Sequence, residues 1–488
     1  MKMKKILYLF IVTIAFISCD DALEEKPKSI MDPNQFYTSD AEALSGLTGV
    51  YNNLYNLYAN GPSWDYGYWV HLGTDLARPT GGRENVLPFH IYTVSNANEN
   101  SLRAMWKNMY AAVGDANQLI DRVNVSSNVD ENLKKRIIAE AKFLRAHYFY
   151  ILTLHWGDVP MWLNELDVEE VGGAIKRTPV KEVYAQIIKD LKEAETNLPS
   201  SYSGKDYGRA TKWAAKILMA KVYLWEKEWK LARDKSAEII AQKEGPHKLM
   251  DKYEDIFGVD NEQNAEIIFE IDYKIDVHSS FRVSRYMPRQ MDEPMINVPN
   301  SGFGLITSSE EFLSTFDSED SRKVMYDYHG QDQDQGEVTN FHYVWKNMDW
   351  DSPRGNGDLN TLVYRLADAY LMYAEAENEF NGPSSEAYSK INDIRDRAFN
   401  YDESKRLKNL SKEEFRQAIM DERKWELAFE YHRRWDLNRW GKLVEAVKSN
   451  ATTNPDGAKN VKDYHRLFPV PIQEIKLNEA LLPNNTGY

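Results

Sequence analysis

Between Asp130 and Leu154 the residues Ile137, Ala141, Leu144, Tyr148 and Ile151 recur at steps of four and three, a spacing that a helix places on one face. Repeated along the chain, this pattern constrains the fold more than any other feature. Val180, Tyr184, Ile187, Leu191 and Ala194 form a second stripe, which Thr178-Pro179 should open as a hydroxyl cap with proline in the first turn and Pro199 should close. Residues 208–225 and 228–240 read as a helix pair with a tight joint. Leu362, Leu366, Ala369, Tyr373, Ala376 and Phe380 are expected on one later helix and Ala387, Ile391, Ile394 and Ala398 on the next, parted by Asn381-Gly382-Pro383. Pairs packed through Tyr, Ala and Trp predict a mainly α fold of degenerate tetratricopeptide-like helix pairs, since no clean repeat of ~34 residues survives.

Elsewhere the pattern changes. Phe269, Ile271 and Tyr273 alternate with Glu270 and Asp272, as in a short half-buried strand. Residues 274–360 and 60–100 are rich in Gly, Pro, Asn and Asp with little periodicity, and loops of that length in a compact domain are usually functional. The helical scaffold is therefore assigned to approximately 40–60, 101–245 and 361–445, with loop-rich inserts at approximately 60–100 and 274–360 and a few short strands.

The N-terminus predicts export. Lys2, Lys4 and Lys5 precede an apolar run from Ile6 to Ile17, too short to span a bilayer but matched to a signal-peptide core, so residues 1–18 are expected to be removed. The run ends at Cys19, the only cysteine of the chain, which can form no internal disulfide. Ser18-Cys19 resembles a lipobox, although Phe16 stands where leucine is usual, and predicts Cys19 as a lipidated N-terminus anchoring residues 19–488 to the membrane. Asp20, Asp21, Glu24 and Glu25 then resemble a lipoprotein surface-export signal.

Little catalytic chemistry is visible. The 75 acidic against 60 basic residues give a net charge of -15, which repels phosphate backbones, and with no local basic patch nucleic acid is not expected as a partner. No H-E-x-x-H, Walker A or G-x-S-x-G pattern occurs, and Gly302-Phe303-Gly304 lacks the third glycine of a dinucleotide loop, so no cofactor is expected. Asp332-x-Asp334 begins like a calcium loop, but Gly336 falls one place early and Tyr343 stands where glutamate is needed, so it reads as a solvated acidic loop. The ten histidines are scattered; His147 and His155 read as structural, and no metal site is expected. Carboxylate pairs are many, and only their spatial separation decides whether any could hydrolyse a glycoside.

Several stretches in order carry a resemblance: residues 42–51 (EALSGLTGVY), 106–123, 139–163 (AEAKFLRAHYFYILTLHWGDVPMWL), 364–377, 421–443 (DERKWELAFEYHRRWDLNRWGKL) and 465–474. Together they resemble the SusD/RagB family of outer-membrane glycan-binding lipoproteins of Bacteroidetes. The family's closing Asn-Pro-Gly-Tyr reads Asn485-Thr486-Gly487-Tyr488 here, a change that loosens the tail. The resemblance implies a non-enzymatic surface lipoprotein that hands oligosaccharides to a SusC-like TonB-dependent transporter; the alternative is a surface glycoside hydrolase on a helical scaffold. By their chemistry the quoted motifs read as scaffold: Arg145, on the flank of the buried stripe, can pair with carboxylates or cap a carbonyl, Trp425, Ala428 and Phe429 should pack, and Arg423, Arg433 and Arg434 can pair with acidic neighbours.

Sugar recognition needs aromatic faces for C–H surfaces and polar partners for hydroxyls. Two segments mix those types: Trp64, Tyr68, Asp75, Arg83 and Asn85 in the first insert, and Arg285, Tyr286, Trp345 and Trp350 in the second. The resemblance places a family acidic residue near Asp75. Residue by residue, the competing expectation is that these aromatics cover small cores under long loops.

Overall fold

The computed structural model describes residues 37–58, 66–80, 87–95, 99–166, 174–242, 245–288, 302–334, 337–349 and 357–488. Its main helices are α1 (Asp40–Tyr58), α2 (Tyr66–His71), α3 (Glu99–Val125), α4 (Glu131–Trp156), α5 (Val180–Asn197), α6 (Lys212–Trp225), α7 (Trp229–Ile240), α8 (Leu366–Asn381), α9 (Ser385–Ala398), α10 (Lys412–Glu426) and α11 (Arg433–Trp440). The strands are β1 (Ala77–Pro79), β2 (Val159–Pro160), β3 (Arg177–Thr178), β4 (Ile267–Ile271), β5 (Ile306–Ser308), β6 (Tyr328–Asp334), β7 (Glu337–Tyr343) and β8 (Thr361–Arg365). Helices from α3 to α9 pack largely on their chain neighbours, with α7 on α8, giving the paired, tetratricopeptide-like scaffold. Among the described residues no helix is long and apolar enough to cross a membrane.

Helix α4 sits at the centre. The Asp130 carboxylate accepts from the N–H groups of Asn132 and Leu133, both at 3.0 Å, and satisfies two orphan donors of the first turn. All five residues of the Ile137 stripe are at most 2% exposed. From Phe143 to Trp156 the helix is buried on every side, among α3, α5, α1 and the strands, so each large side chain there contributes about 1.5–3 kcal/mol of burial. Arg145 crosses to Asp190 on α5 in a fork, with both bonds at 2.8 Å, as its place on the flank of the stripe predicts. His147 and His155 are enclosed, and burial pushes both imidazoles to about 3, so they are neutral packing groups.

Four local expectations need correction. Thr178 lies in β3 rather than capping α5; the Val180 N–H is satisfied by Asp158 Oδ1 at 2.8 Å, from across the β2–β3 pair. Leu362 belongs to β8, which pairs with β4, and α8 begins at Leu366; Phe380 at its far end is 47% exposed under the Arg233 guanidinium. Within 274–360 the described residues include β5 and the β6–β7 hairpin, and Asp332-x-Asp334 lies in β6 rather than in a loop. The tail is tied rather than loose: Asn485 donates to Trp156 O at 3.1 Å and Phe468 O at 2.7 Å.

Candidate functional site

The two inserts meet in one sheet, ordered β1-β5-β7-β6. In antiparallel register Ala77 faces Ser308, Arg78 faces Thr307 and Pro79 faces Ile306. The Ser309 N–H donates to Leu76 O at 2.8 Å, and Thr307 Oγ1 donates to Arg78 O at 3.1 Å. Pro79 is tolerated because β1 is an edge strand, where the missing N–H breaks no central ladder. Arg78 lies 4.4 Å from the Phe341 ring centroid, which carries the first insert onto the hairpin as well.

The structure sorts the expected sugar-binding residues by environment. Tyr68, Arg285 and Tyr286 are brought together below the surface, the Arg285 guanidinium lying 5.4 Å from the Tyr68 centroid and 5.2 Å from that of Phe281. They join the inserts by packing. Asp75 is held by Arg433, whose Nε and Nη2 donate at 2.8 and 2.5 Å. Burial alone would raise the Asp75 carboxyl, but the Arg433 guanidinium outweighs it and keeps the group below its ordinary value. Trp345 is 38% exposed, with its ring centroid 5.2 Å from that of Tyr328. Trp64, Arg83, Asn85 and Trp350, like Cys19, lie outside the described residues.

Trp345 owes its position to a buried charge cluster that local sequence reasoning did not find. The turn Trp345–Asn347 sends Lys346 inward while Trp345 faces out. Lys346 Nζ donates to Glu430 at 2.6 Å, and burial pushes the ammonium down to about 8 although Glu430 opposes this. Arg365 donates to Glu430, Glu266 and Glu426 at 2.6, 2.8 and 2.6 Å; Arg397 reaches Glu266 and Glu426; Arg322 reaches Glu422 at 2.5 Å and Glu426 at 3.0 Å. Glu430 is aimed by a turn in which Phe429 and Tyr431 adopt φ of +59° and +67°, a region bulky residues avoid unless the surroundings over-determine them. Arg433 follows at once and holds Asp75. The segment after α10 thus pins the first insert through Arg433 and the second through Glu430. Arg423 pairs with Asp368 and Asp436 as expected, whereas Arg434 donates to the backbone carbonyl of His465 and lies over Phe468.

A second concave surface lies on the scaffold, in a cleft of about 230 Å³ lined by Tyr55, Tyr207, Arg209, Glu270 and Asp272, adjoined by one of about 350 Å³ that shares Tyr207, Arg209 and Glu270. Tyr207 is 44% exposed, and Gly208, at φ +84°, lets the backbone pass Asp272 where a Cβ would come within 2.6 Å of Oδ2. Burial first, then the like charges of Asp272 and Glu262, raise the Glu270 carboxyl to about 8. A carboxyl raised on folding binds a proton in the native state, so its contribution is fully present below the unfolded value and is lost as pH climbs from about 4.5 to about 8. Glu270→Gln is therefore expected to stabilise the protein increasingly as pH rises toward 8 and to match the wild type near pH 4, as thermal melts across that range would report.

Comparison with known proteins gives this architecture a family. SusD-like protein P25 of Formosa agariphila is 34% identical, over 99% of this chain and 99% of its own length. The chain belongs to the SusD/RagB family. Residues 314–488 match the SusD family model, and residues 21–224 match a model described as starch-binding associating with outer membrane. Among solved structures, a SusD homolog from Bacteroides thetaiotaomicron superposes with a TM-score of 0.80 at 21% identity, covering 93% of this chain and 98% of that one. A laminarin-binding SusD-like protein superposes with a TM-score of 0.78 at 25% identity, covering 93% of this chain and all of the other. SusD/RagB proteins are outer-membrane glycan-binding proteins of Bacteroidetes.

Proposed function

We propose that this SusD-like protein binds oligosaccharide or polysaccharide at the cell surface and delivers it to a SusC-like TonB-dependent outer-membrane transporter for nutrient uptake. The observation that carries the proposal is the β1–β5 pairing, which joins the two aromatic-rich inserts in one sheet with Trp345 facing solvent beside them. Tyr68, Arg285 and Tyr286 support that surface from below, Asp75 fixes its edge to the scaffold, and Trp345, together with Trp64, Arg83, Asn85 and Trp350, supplies stacking faces and hydroxyl partners. Laminarin, bound by one structural relative, heads the panel of candidate glycans. Purified protein run through gels containing each polysaccharide should be retarded by at least one without releasing reducing ends. Release of reducing ends would replace binding by hydrolysis.

Residues 1–18 act in this reading as a cleaved signal and Cys19 as the lipid anchor. Cys19→Ala is expected to move the protein out of the membrane fraction; a variant that stays there with its signal removed would exclude lipidation as the anchor. Because one acyl chain holds only weakly, further acylation or the transporter supplies the rest. Native purification from outer membranes should recover a much larger barrel partner with the tagged lipoprotein.

A further inference from the structure

The β6–β7 hairpin carries a group of side chains that sugar binding does not use. Asp327 enters β6 two residues before His329, so strand geometry puts both on one face, and antiparallel register sets His342 of β7 directly opposite His329. His342 Nδ1 stands 2.6 Å from Asp327 Oδ1, and His329 Nε2 stands 3.2 Å from the same oxygen. One donor atom from each of the three residues lies within 4.8 Å of the other two, the only such convergence of His, Cys, Asp or Glu among the described residues. The other carboxylate oxygen of Asp327 faces Lys323 at 3.9 Å, which leaves Oδ1 for the histidines.

We propose that Asp327, His329 and His342 form a binding site for a divalent transition metal of the Zn²⁺ type. Two imidazoles and a carboxylate are the donor set such ions prefer, whereas Ca²⁺ and Mg²⁺ require mostly oxygen. A tetrahedral ion with bonds of about 2.0–2.1 Å spaces its donors roughly 3.3 Å apart. The His329–Asp327 separation already fits, and the closer His342–Asp327 contact opens by less than an ångström when the ion replaces it. His342 is backed on both sides by β5 and β6 and supplies a fixed arm; the His329 side chain, 72% exposed, supplies a movable one and leaves the fourth position to water. The metal cross-links the root of the hairpin to the chain that enters it. That root also carries Tyr328, whose ring rests against Trp345, so the ion holds the hairpin in place independently of which glycan is bound.

The test uses the whole chain, stripped with chelator and titrated with ZnCl₂ by calorimetry, with Co²⁺ absorption as a report on coordination geometry. One equivalent should bind, with the visible bands of a tetrahedral Co²⁺ site, and the hairpin amides should gain hydrogen-exchange protection. His329→Ala, at an exposed position that folding does not need, should weaken binding at least about tenfold, and Asp327→Asn should do the same. His278→Ala, at the other exposed histidine, should leave it unchanged. Less than one equivalent, affinity unaltered in His329→Ala and Asp327→Asn, or equal binding of Ca²⁺ at the same residues would overturn the proposal.

Discussion

Glu426→Ala is expected to lower the free energy of unfolding by about 3–5 kcal/mol, because it leaves buried guanidinium groups facing one another without their shared counter-charge. Glu426 joins Arg365, Arg397 and Arg322, and none of these four side chains is more than marginally exposed. Burial alone would raise its carboxyl, yet Arg397, Arg365 and Arg322 together hold it far below the usual carboxylate range. For a depressed carboxyl, the contribution is fully present above the unfolded value near 4.5 and is lost as pH falls through the folded one. The gap between wild type and variant in urea unfolding should therefore be wide at pH 7 and shrink toward pH 2. An unchanged midpoint at pH 7 would mean that the cluster adds nothing the packing does not already provide. A replacement of the whole cluster by apolar residues carries no such penalty, since paired charges repay little more than their own desolvation.

Asp75→Ala carries the next largest effect, about 3 kcal/mol, because Arg433 loses its bidentate partner at a site largely closed to water. The readout separates two roles for the same residue. As the tether of the first insert, Asp75 should cost stability when removed and should affect glycan affinity only through disorder of the insert. A direct sugar ligand would give the reverse, with affinity lost and the unfolding midpoint unchanged. Asp75→Asn, which keeps the shape and one acceptor, should fall between the two extremes in stability.

The scaffold was legible because helical period and burial coincide: the stripes of α4, α5 and α9 are the residues that face the core. Leu362 was misplaced because the five residues of β8 are too few to show their alternation against the helical stripe that follows. The hairpin was invisible for a different reason. Its strands read YHGQDQD and EVTNFHY, with little of the apolar alternation that marks a half-buried strand, so the pairing of His329 with His342 exists only once the register is known. The charge cluster shows the same limit over longer distances. Arg423, Arg433 and Arg434 stand out in sequence as groups needing partners, but the partner of Arg433 lies 358 residues away and nothing local selects Asp75 from the other acids. Tyr207, too, carries no signal beyond an aromatic beside a glycine.

Glycan affinity of Trp345→Ala, measured by calorimetry against the polysaccharide that the wild type retains, tests most directly the claim that the joined inserts form the binding platform. Trp345 offers a solvent-facing ring whose neighbour Lys346 is locked to Glu430, so its removal should leave folding intact and cost roughly 1–3 kcal/mol of binding, the range for truncating an aromatic hot spot. Tyr207→Ala, on the scaffold cleft, should bind as the wild type does. Full affinity in Trp345→Ala together with loss in Tyr207→Ala would contradict the account and move the sugar to the cleft beside Glu270.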